Sequence, residues 1–256
     1  MPLLQRRVHA RAMTNVICMK WGTKFPPLYV NRLHSMVKRH LARPHRFVCF
    51  TDDPAGLDPG VEHFPMPSAG PADAYAVHGW RKLAMFAPAL GDLTGATLFL
   101  DLDVVIVGAL DPFFDYQPGE VCIIRDYRPV RIRGDRFVGN TSVFRFNAGQ
   151  HPQVLEEFTR DFDAIRRRVR NEQEYVSHWF HARRSLHYWP EEWCPSFKHD
   201  CVAWGPASYF STPQLPQGAR IVVFHGLPKP EDAIAGTRGK WYRRIRPTPW
   251  IAAHWH

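Results

Sequence analysis

Apolar runs with the composition of strands alternate with amphipathic segments along most of this chain. Residues 15–19 and 46–50 are short apolar runs bounded by polar or turn-forming residues, which predicts buried strands. Residues 27–41 instead place their apolar side chains on one face of a helix. By the same criteria, strands are also predicted at 121–124, 141–146 and 220–225, and helices at 80–90 and 151–169. This alternation favours an α/β fold with a mainly parallel sheet.

The composition is that of a folded protein with a sizeable core. Of the 256 residues, 45% are hydrophobic and 22% are charged, and no apolar run is long enough to span a bilayer. We find no repeat and no linker, so a single domain over residues 1–256 is predicted. The basic start of the chain, residues 1–20, is too polar for a secretory leader. Residues 1–12 are interpreted as a frayed extension, with Met13 as a candidate natural start.

The cysteine pattern favours a reducing compartment. None of the five cysteines forms a Cys-x-x-Cys pair, and Cys18, Cys49 and Cys122 lie inside strand-like apolar runs. Reduced, buried thiols are therefore expected, and we expect a cytoplasmic protein.

The net charge of +9 is carried mainly by arginine, in clusters at 125–136, 166–170 and 243–246. Such clusters attract polyanions, phosphorylated substrates or anionic lipid headgroups. A solvated surface explains each cluster equally well when it is taken alone. Contact with an anionic membrane, at the inner face of a cell membrane, is one expectation that follows.

Two carboxylates interrupt the apolar run at residues 97–114. Asp101 and Asp103 are two residues apart, so in a strand they would project from the same face, at the edge of the sheet where α/β folds bind ligands. Two neighbouring carboxylates repel each other, and a divalent cation such as Mg²⁺ or Mn²⁺ would relieve that repulsion. Alternatively, one aspartate caps a turn and the other pairs with an arginine.

The run at 220–225 ends in a second set of polar residues. His225 is placed at the end of a predicted strand, where an imidazole would complete a metal site. Gly226 permits close approach of a phosphate, and Lys229, between two prolines, supplies a cation to it. A structural histidine is the other interpretation of His225.

These motifs, in this order, resemble those of glycosyltransferases of the GT-A fold. The chain from about residue 15 to 230 is similar to the family 8, glycogenin-like group and its bacterial relatives, through the Asp101–Asp103 motif, "NTSVF" at 140–144, "NEQEYV" at 171–176 and the His…Lys-Pro segment. The resemblance implies an α/β GT-A fold with a nucleotide-sugar-binding half, residues 14–110, and an acceptor-side half, residues 111–256.

The resemblance also implies a role for each matching residue. Asp101, Asp103 and His225 would bind Mn²⁺ (or Mg²⁺), which bridges the diphosphate of a nucleotide sugar, expected to be a UDP-sugar. Lys229 and Lys82 would contact the donor. The residues expected near the sugar and the reaction centre are Asn140, Glu172 and Gln173. The residues expected to hold the nucleoside are Lys20, Trp21, Gly22 and Asp52.

The sequence departs from the family pattern at three places. The spacing from His225 to Lys229 is shorter than usual, Glu172 stands where the family has aspartate, and the segment at 18–25 differs from the family norm. The departures concern the phosphate contact, the geometry beside the sugar and the preference for the base, respectively.

The acceptor is expected to be a hydroxyl group on a surface glycan or lipid-linked glycan. It would be held by the aromatic-rich and irregular residues 179–216, in which Trp189, Trp193 and Trp204 either stack on sugars or pack in the core. A retaining reaction, as in family 8, needs no dedicated base. An inverting reaction needs a carboxylate, for which the candidates are Asp126, Glu172 and Glu174.

Two other functions fit parts of the sequence. The aspartate motif also satisfies the loose motif of haloacid-dehalogenase-like phosphatases, but those place it on their first strand. A basic nucleic-acid-binding module would explain the charge and the interleaved aromatic residues, but it leaves Asp101, Asp103, His225 and Lys229 without a role. We therefore expect no nucleic-acid partner.

Overall fold

The central sheet contains strands from both halves of the sequence. The computed structural model describes residues 13–74, 79–127, 137–237 and 243–256. The expected N-terminal extension, residues 1–12, and most of the basic cluster at 125–136 lie outside the described residues. The strands are β1 (Thr14–Lys20), β2 (His45–Thr51), β3 (Glu62–Pro65), β4 (Gly95–Leu100), β5 (Val104–Ile106), β6 (Val121–Arg125), β7 (Gly139–Ala148), β8 (Leu186–Tyr188) and β9 (Ile221–Val223).

Seven of these strands form the central sheet, in the order β3-β2-β1-β4-β7-β6-β8. Neighbours from β3 to β4 are parallel, β7 is antiparallel to both β4 and β6, and β8 is parallel to β6. The sheet is therefore mostly parallel, and the predicted α/β class is confirmed. The division of the chain into two functional halves stays a prediction.

Helices cover both faces of this sheet. They are α1 (Pro27–His40), α2 (Pro112–Asp115), α3 (Pro152–Arg160), α4 (Phe162–Arg168), α5 (Glu172–Ala182), α6 (Pro230–Ala235) and α7 (Pro249–His254). Side chains of β1 alternate between the two layers: Val16 and Cys18 pack in the layer that contains α1, and Ile17 and Met19 pack in the layer that contains α3 and α5.

Several predicted elements differ from the observed ones. The predicted helix at 151–169 is two helices, because the backbone at Asp161 is not helical (φ −108°, ψ 24°). The predicted helix at 80–90 is a 3-10 helix, Gly79–Phe86, that ends before Pro88. Residues 179–182, predicted to be irregular, belong to α5, whose first turn is capped by the Asn171 side chain accepting a hydrogen bond from the backbone N–H of Glu174.

The chain leaves the central sheet immediately before the aspartate motif. Strand β4 ends at Leu100, and β5 pairs in antiparallel fashion with β9 in a separate two-stranded sheet. The prediction of one strand through Asp101 and Asp103 is therefore wrong, and these residues lie in the turn between two sheets. Their common direction is set by this turn rather than by the two-residue period of a strand.

The cysteines are as predicted from the sequence, and the described helices are those of a chain without a long apolar run. All five cysteines are free and buried, including the three that were predicted to be so. Among the described residues, no helix combines the length and the apolar character needed to cross a membrane.

Candidate active site

A cavity of about 520 Å³ lies at the edge of the central sheet where β1 and β4 end and β7 begins. This is the edge at which α/β folds bind ligands. Eleven of the thirteen residues predicted from the sequence line it. They are Trp21, Gly22, Lys82, Asp101, Asp103, Asn140, Glu172, Gln173, His225, Gly226 and Lys229.

Asp101 is held between the central sheet and a lysine. Its backbone N–H donates to the carbonyl oxygen of Ser142 on β7 over 2.9 Å, and its Oδ1 lies 2.6 Å from Nζ of Lys82. Burial lowers the pKa of Lys82, but the negative charges of Asp101 and Glu172 outweigh burial, so this pKa lies above its usual value. Lys82 is therefore a charged group at the floor of the cavity.

Asp103 is paired with the second lysine predicted from the sequence. Nζ of Lys229 contacts Oδ2 of Asp103 and lies 4.9 Å from the ring centroid of Phe25. Burial and the charge of Asp101 raise the pKa of Asp103, while Lys229 opposes that shift. In this structure lysines balance both aspartates, so the alternative in which one of them pairs with an arginine is wrong.

His225 reaches the cavity because the second sheet ends beside the aspartate turn. The backbone N–H of Phe224 donates to the carbonyl oxygen of Asp103 over 3.2 Å, so the residue that follows enters the same cavity. Nε2 of His225 lies 2.8 Å from Oγ of Ser196, and the ring stacks on Tyr127 with centroids 5.2 Å apart. The imidazole is therefore fixed by a hydroxyl and an aromatic ring.

The donors of the expected metal site are compatible with Mn²⁺ or Mg²⁺ in their chemistry. Asp101 and Asp103 provide carboxylate oxygens and His225 an imidazole nitrogen, and all of them line one cavity. Within the part of the chain that the structure describes, no three or more His, Cys, Asp or Glu side chains are grouped closely enough to hold a metal ion. Asp103 and His225 would have to exchange Lys229 and Ser196 for the ion.

The first turn of α5 brings Glu172 and Gln173 into the cavity. Oγ of Ser177 donates to the carbonyl oxygen of Gln173 over 2.6 Å and accepts from the backbone N–H of Gly139 over 2.9 Å. This hydroxyl therefore ties α5 to the start of β7. Asn140 follows Gly139, and its Oδ1 accepts a hydrogen bond from the backbone N–H of Ser142.

Two residues predicted to hold the nucleoside do not line the cavity. Nζ of Lys20 donates to the carbonyl oxygen of Asp53 over 3.2 Å, and the side chain is only 4% exposed. Asp52 accepts a hydrogen bond from the backbone N–H of Gly22 over 3.0 Å. Both residues therefore support the loop that contains Trp21, and their contact with a nucleoside stays a prediction.

Sequence reasoning missed several residues of the site. Ser142 lines the cavity two residues after Asn140, a spacing that places both on the same face of β7 and would have signalled it. Phe25 also lines the cavity, three residues after the predicted Gly22. No local pattern signals Ser196, because its contact with His225 joins residues that are far apart in the sequence.

Two of the tryptophans predicted to contact the acceptor lie in different surroundings. Trp189 is 3% exposed and its Nε1–H donates to the carbonyl oxygen of Val143, so it packs in the core rather than offering a sugar platform. Trp204 is 83% exposed.

The candidate bases also differ in position. Asp126 lines a second cavity of about 250 Å³, and Glu174 pairs with Arg170 at 3.2 Å. Of the three candidate bases, Glu172 lines the 520 Å³ cavity.

Comparisons with known proteins show a fold and no closer relationship. The sequence matches no model of a known protein family, and no curated protein matches it. The structure is similar to that of the galactosyltransferase LgtC in complex with donor and acceptor sugar analogues, with a TM-score of 0.58 and 12% identity over 84% of this chain and 88% of LgtC.

Two further solved structures show the same similarity. A glutamine-to-glutamate active-site mutant of LgtC gives a TM-score of 0.54 and 12% identity over 84% of this chain and 89% of that one. The bifunctional glycosyltransferase WbbM gives a TM-score of 0.58 and 15% identity over 86% of this chain and 47% of that one. With its seven-stranded, mostly parallel sheet and flanking helices, the chain therefore has the fold of GT-A glycosyltransferases.

Proposed function

We propose that this chain is a glycosyltransferase that moves a sugar from a nucleotide-diphosphate donor, a UDP-sugar, to a hydroxyl acceptor. The observation that carries the proposal is one cavity, about 520 Å³ in volume, in which an aspartate pair, two lysines and Gln173 meet. That volume suits a small-molecule ligand. The fold shared with LgtC and WbbM supports glycosyl transfer.

In this proposal Asp101, Asp103 and His225 hold a divalent cation, Mn²⁺ or Mg²⁺. Bound there, the ion would supply Lewis acidity to the diphosphate oxygens of the donor. The aspartate turn positions its two carboxylates by hydrogen bonds to two different sheets, through Ser142 and Phe224. The ring of Tyr127, which stacks on His225, orients the imidazole.

The lysines stabilise the charge that appears on the leaving group. Cleavage of the bond between sugar and phosphate leaves a nucleoside diphosphate with additional negative charge. Lys82 and Lys229 line the cavity, and each already pairs with a carboxylate there. Gly226 has no side chain and therefore leaves room for a phosphate beside Lys229.

Gln173, Glu172 and Asn140 lie beside the proposed sugar position. A glutamine-to-glutamate change in LgtC is described as an active-site mutation, and Gln173 is the glutamine that lines the cavity of this chain. A retaining reaction would use Gln173 near the sugar. An inverting reaction would assign the role of base to Glu172, which lines the same cavity.

The acceptor in this proposal is a surface glycan or a lipid-linked glycan. LgtC was crystallised with donor and acceptor sugar analogues, which supports a sugar acceptor for a chain of this fold. The phosphatase alternative is not retained, because the aspartate motif follows the fourth strand of the chain rather than the first.

A thermal shift measurement tests the donor site. We expect UDP together with Mn²⁺, at about a hundred times the dissociation constant, to add about 2.7 kcal/mol of stability, which raises Tm on the order of 5–10 °C. GDP with Mn²⁺ should raise Tm much less, and so should either nucleotide without the metal. Asp103→Asn should abolish the rise, whereas the exposed control Asp163→Asn should retain it. Equal Tm values with and without every nucleotide diphosphate would refute the proposal.

A further inference from the structure

Two large aromatic side chains stand almost fully in solvent on one short segment. Trp204 is 83% exposed and Phe210 is 86% exposed, at the two ends of the 3-10 helix Gly205–Tyr209. Tyr209 is also exposed, at 37%. Aromatic rings grouped on a surface in this way indicate contact with another molecule or with a membrane, because leaving them in water is unfavourable.

Arginines lie directly against this aromatic segment. The backbone N–H of Arg244 donates to Oγ of Ser208 over 3.0 Å, and the guanidinium of Arg246 donates to the carbonyl oxygen of Tyr209 over 3.0 Å. Arg244 and Arg246 are both exposed. We call Trp204, Tyr209, Phe210, Arg244 and Arg246 the aromatic–arginine patch.

The patch adjoins the rim of the donor cavity. The guanidinium of Arg243 donates to the carbonyl oxygen of Lys198 over 2.7 Å, and Nζ of Lys198 lies 3.6 Å from the point where a Cβ of Gly226 would be. Gly226 lines the cavity, and Leu227 beside it is 73% exposed. Asp200, two residues after Lys198, is exposed and carries a negative charge beside these cations.

We propose that the aromatic–arginine patch docks on an anionic lipid bilayer. Tryptophan and tyrosine prefer the headgroup region of a membrane, where their rings are shielded from water and their polar groups stay hydrated. The arginines gain favourable electrostatic energy near anionic headgroups, and the net charge of +9 attracts the whole chain to such a surface. Phe210 has no polar group to hydrate, so its ring gains free energy by insertion into the apolar region of the bilayer.

Docking in this orientation places the donor cavity close to the bilayer. The connection through Lys198 and Gly226 runs from the patch to the cavity rim. An acceptor attached to a lipid would therefore reach the cavity without leaving the membrane. Membrane docking requires no donor, metal or acceptor, so it is tested independently of the proposed sugar transfer.

Flotation with vesicles tests the proposal. The full chain should float with phosphatidylcholine vesicles that contain about 30% phosphatidylglycerol, and much less with phosphatidylcholine alone. Raising the salt concentration from about 0.1 M to about 1 M should weaken binding, because the screening length falls from about 10 Å to about 3 Å.

Two paired variants separate the contributions. Arg244→Gln with Arg246→Gln should weaken binding to the anionic vesicles about 30-fold. Trp204→Ser with Phe210→Ser should weaken it at least about tenfold, because the apolar insertion is lost. The matched controls are Arg167→Gln with Arg168→Gln, which remove the same charge from the exposed end of α4, and Leu28→Ser, which removes an exposed apolar side chain from α1. Both controls should weaken binding much less than the patch variants do.

Quenching by brominated lipids locates the contact. Of the nine tryptophans, Trp204 should account for most of the quenching, so Trp204→Phe should bind vesicles yet lose most of the signal. Absence of flotation with the anionic vesicles would overturn the proposal, as would equal losses in the patch variants and their controls. Binding to an RNA or DNA oligomer without binding to vesicles, lost in the arginine patch variant, would also overturn it.

Discussion

At the scale of single residues, the carboxylate of Glu172 fills the space that a side chain at position 79 would need, and that position is a glycine. A Cβ on Gly79 would be 2.6 Å from Oε2 and 2.7 Å from Oε1 of Glu172, which is closer than carbon and oxygen approach without a clash. Glu172 is only 6% exposed and its charge acts on Lys82. Because the carboxylate is buried in this way, a side chain at Gly79 would displace it within the cavity.

Gly79→Ala is therefore expected to lower the kcat/KM of the proposed sugar transfer about ten- to a hundredfold, since it displaces a group at the proposed reaction centre. Adding Glu172→Asp removes one methylene and should restore part of that activity by relieving the clash. Steady-state kinetics of the two single variants and the double variant measure this, with circular dichroism as the check on folding. A double variant that is no more active than Gly79→Ala would show that the clash is not the cause.

At the scale of elements, one buried hydroxyl fixes α5 relative to β7. Ser177 is 0% exposed, and its Oγ bonds both the carbonyl oxygen of Gln173 and the backbone N–H of Gly139. Gln173 and Asn140 stand next to these two bonds and face the same cavity. The relative position of two proposed reaction-centre residues thus depends on a contact between elements.

Ser177→Ala is expected to lower the free energy of unfolding by about 1–3 kcal/mol, because the N–H of Gly139 loses its acceptor in a buried position. It should also raise the KM for the proposed donor, whereas the control variant Ser211→Ala should leave that KM unchanged. The control is Ser211→Ala, since Oγ of Ser211 donates to the carbonyl oxygen of Ala207 at an exposed site and its loss should change stability by less than about 0.5 kcal/mol. Urea unfolding compares the two, and equal losses would argue against the role of Ser177.

Elements with their own periodic pattern were the predictable ones. The apolar runs and helical stripe at β1, α1 and β2 placed these elements within one or two residues of their observed bounds. The division between α3 and α4 at Asp161 was not predictable. The apolar stripe continues across Asp161, although the backbone there is not helical. The turn at Asp101 depends on pairing of β5 with the distant β9, which no local pattern encodes.

At the scale of the whole molecule, half-buried histidines make stability depend on pH. Burial, which disfavours the charged imidazolium, lowers the pKa of His34, His40, His151 and His254 below the usual value. The native state therefore binds fewer protons than the unfolded state just below about pH 6.5. The stability that these histidines contribute is present above that pH and is lost as the pH falls through the lowered pKa values.

The free energy of unfolding is accordingly expected to be lower at pH 5 than at pH 7.5, measured by urea denaturation. His151→Asn should reduce this pH dependence, because the ring of His151 packs edge-on against Phe180 with centroids 5.0 Å apart. His63→Asn is the control, since His63 is exposed on β3. A slope against pH that is the same in both variants would contradict the assignment to buried histidines.

The candidate site was predictable in membership but not in its internal bonds. Asp101, Asp103 and His225 were predicted from their positions beside apolar runs, because polar groups at the ends of strands collect at one edge of a sheet. Most of the other predicted residues that line the cavity were implied by the resemblance to family 8. The pairs Lys82–Asp101 and Lys229–Asp103, and the contact of Ser196 with His225, join residues far apart in the sequence. Their partners follow from the fold and from no spacing in the chain.

The separate pairing of β5 with β9 also has a consequence for how the chain reaches its native state. The paired residues Val104 and Val223 are more than a hundred positions apart, so closing this contact costs more chain entropy than a local pairing does and should occur later in folding. The neighbouring pair β1 and β2 is far more local. In refolding from urea, far-ultraviolet circular dichroism should therefore recover before nucleotide binding does. A chain newly released from the ribosome would contain an ordered central sheet for some time before its candidate site was complete.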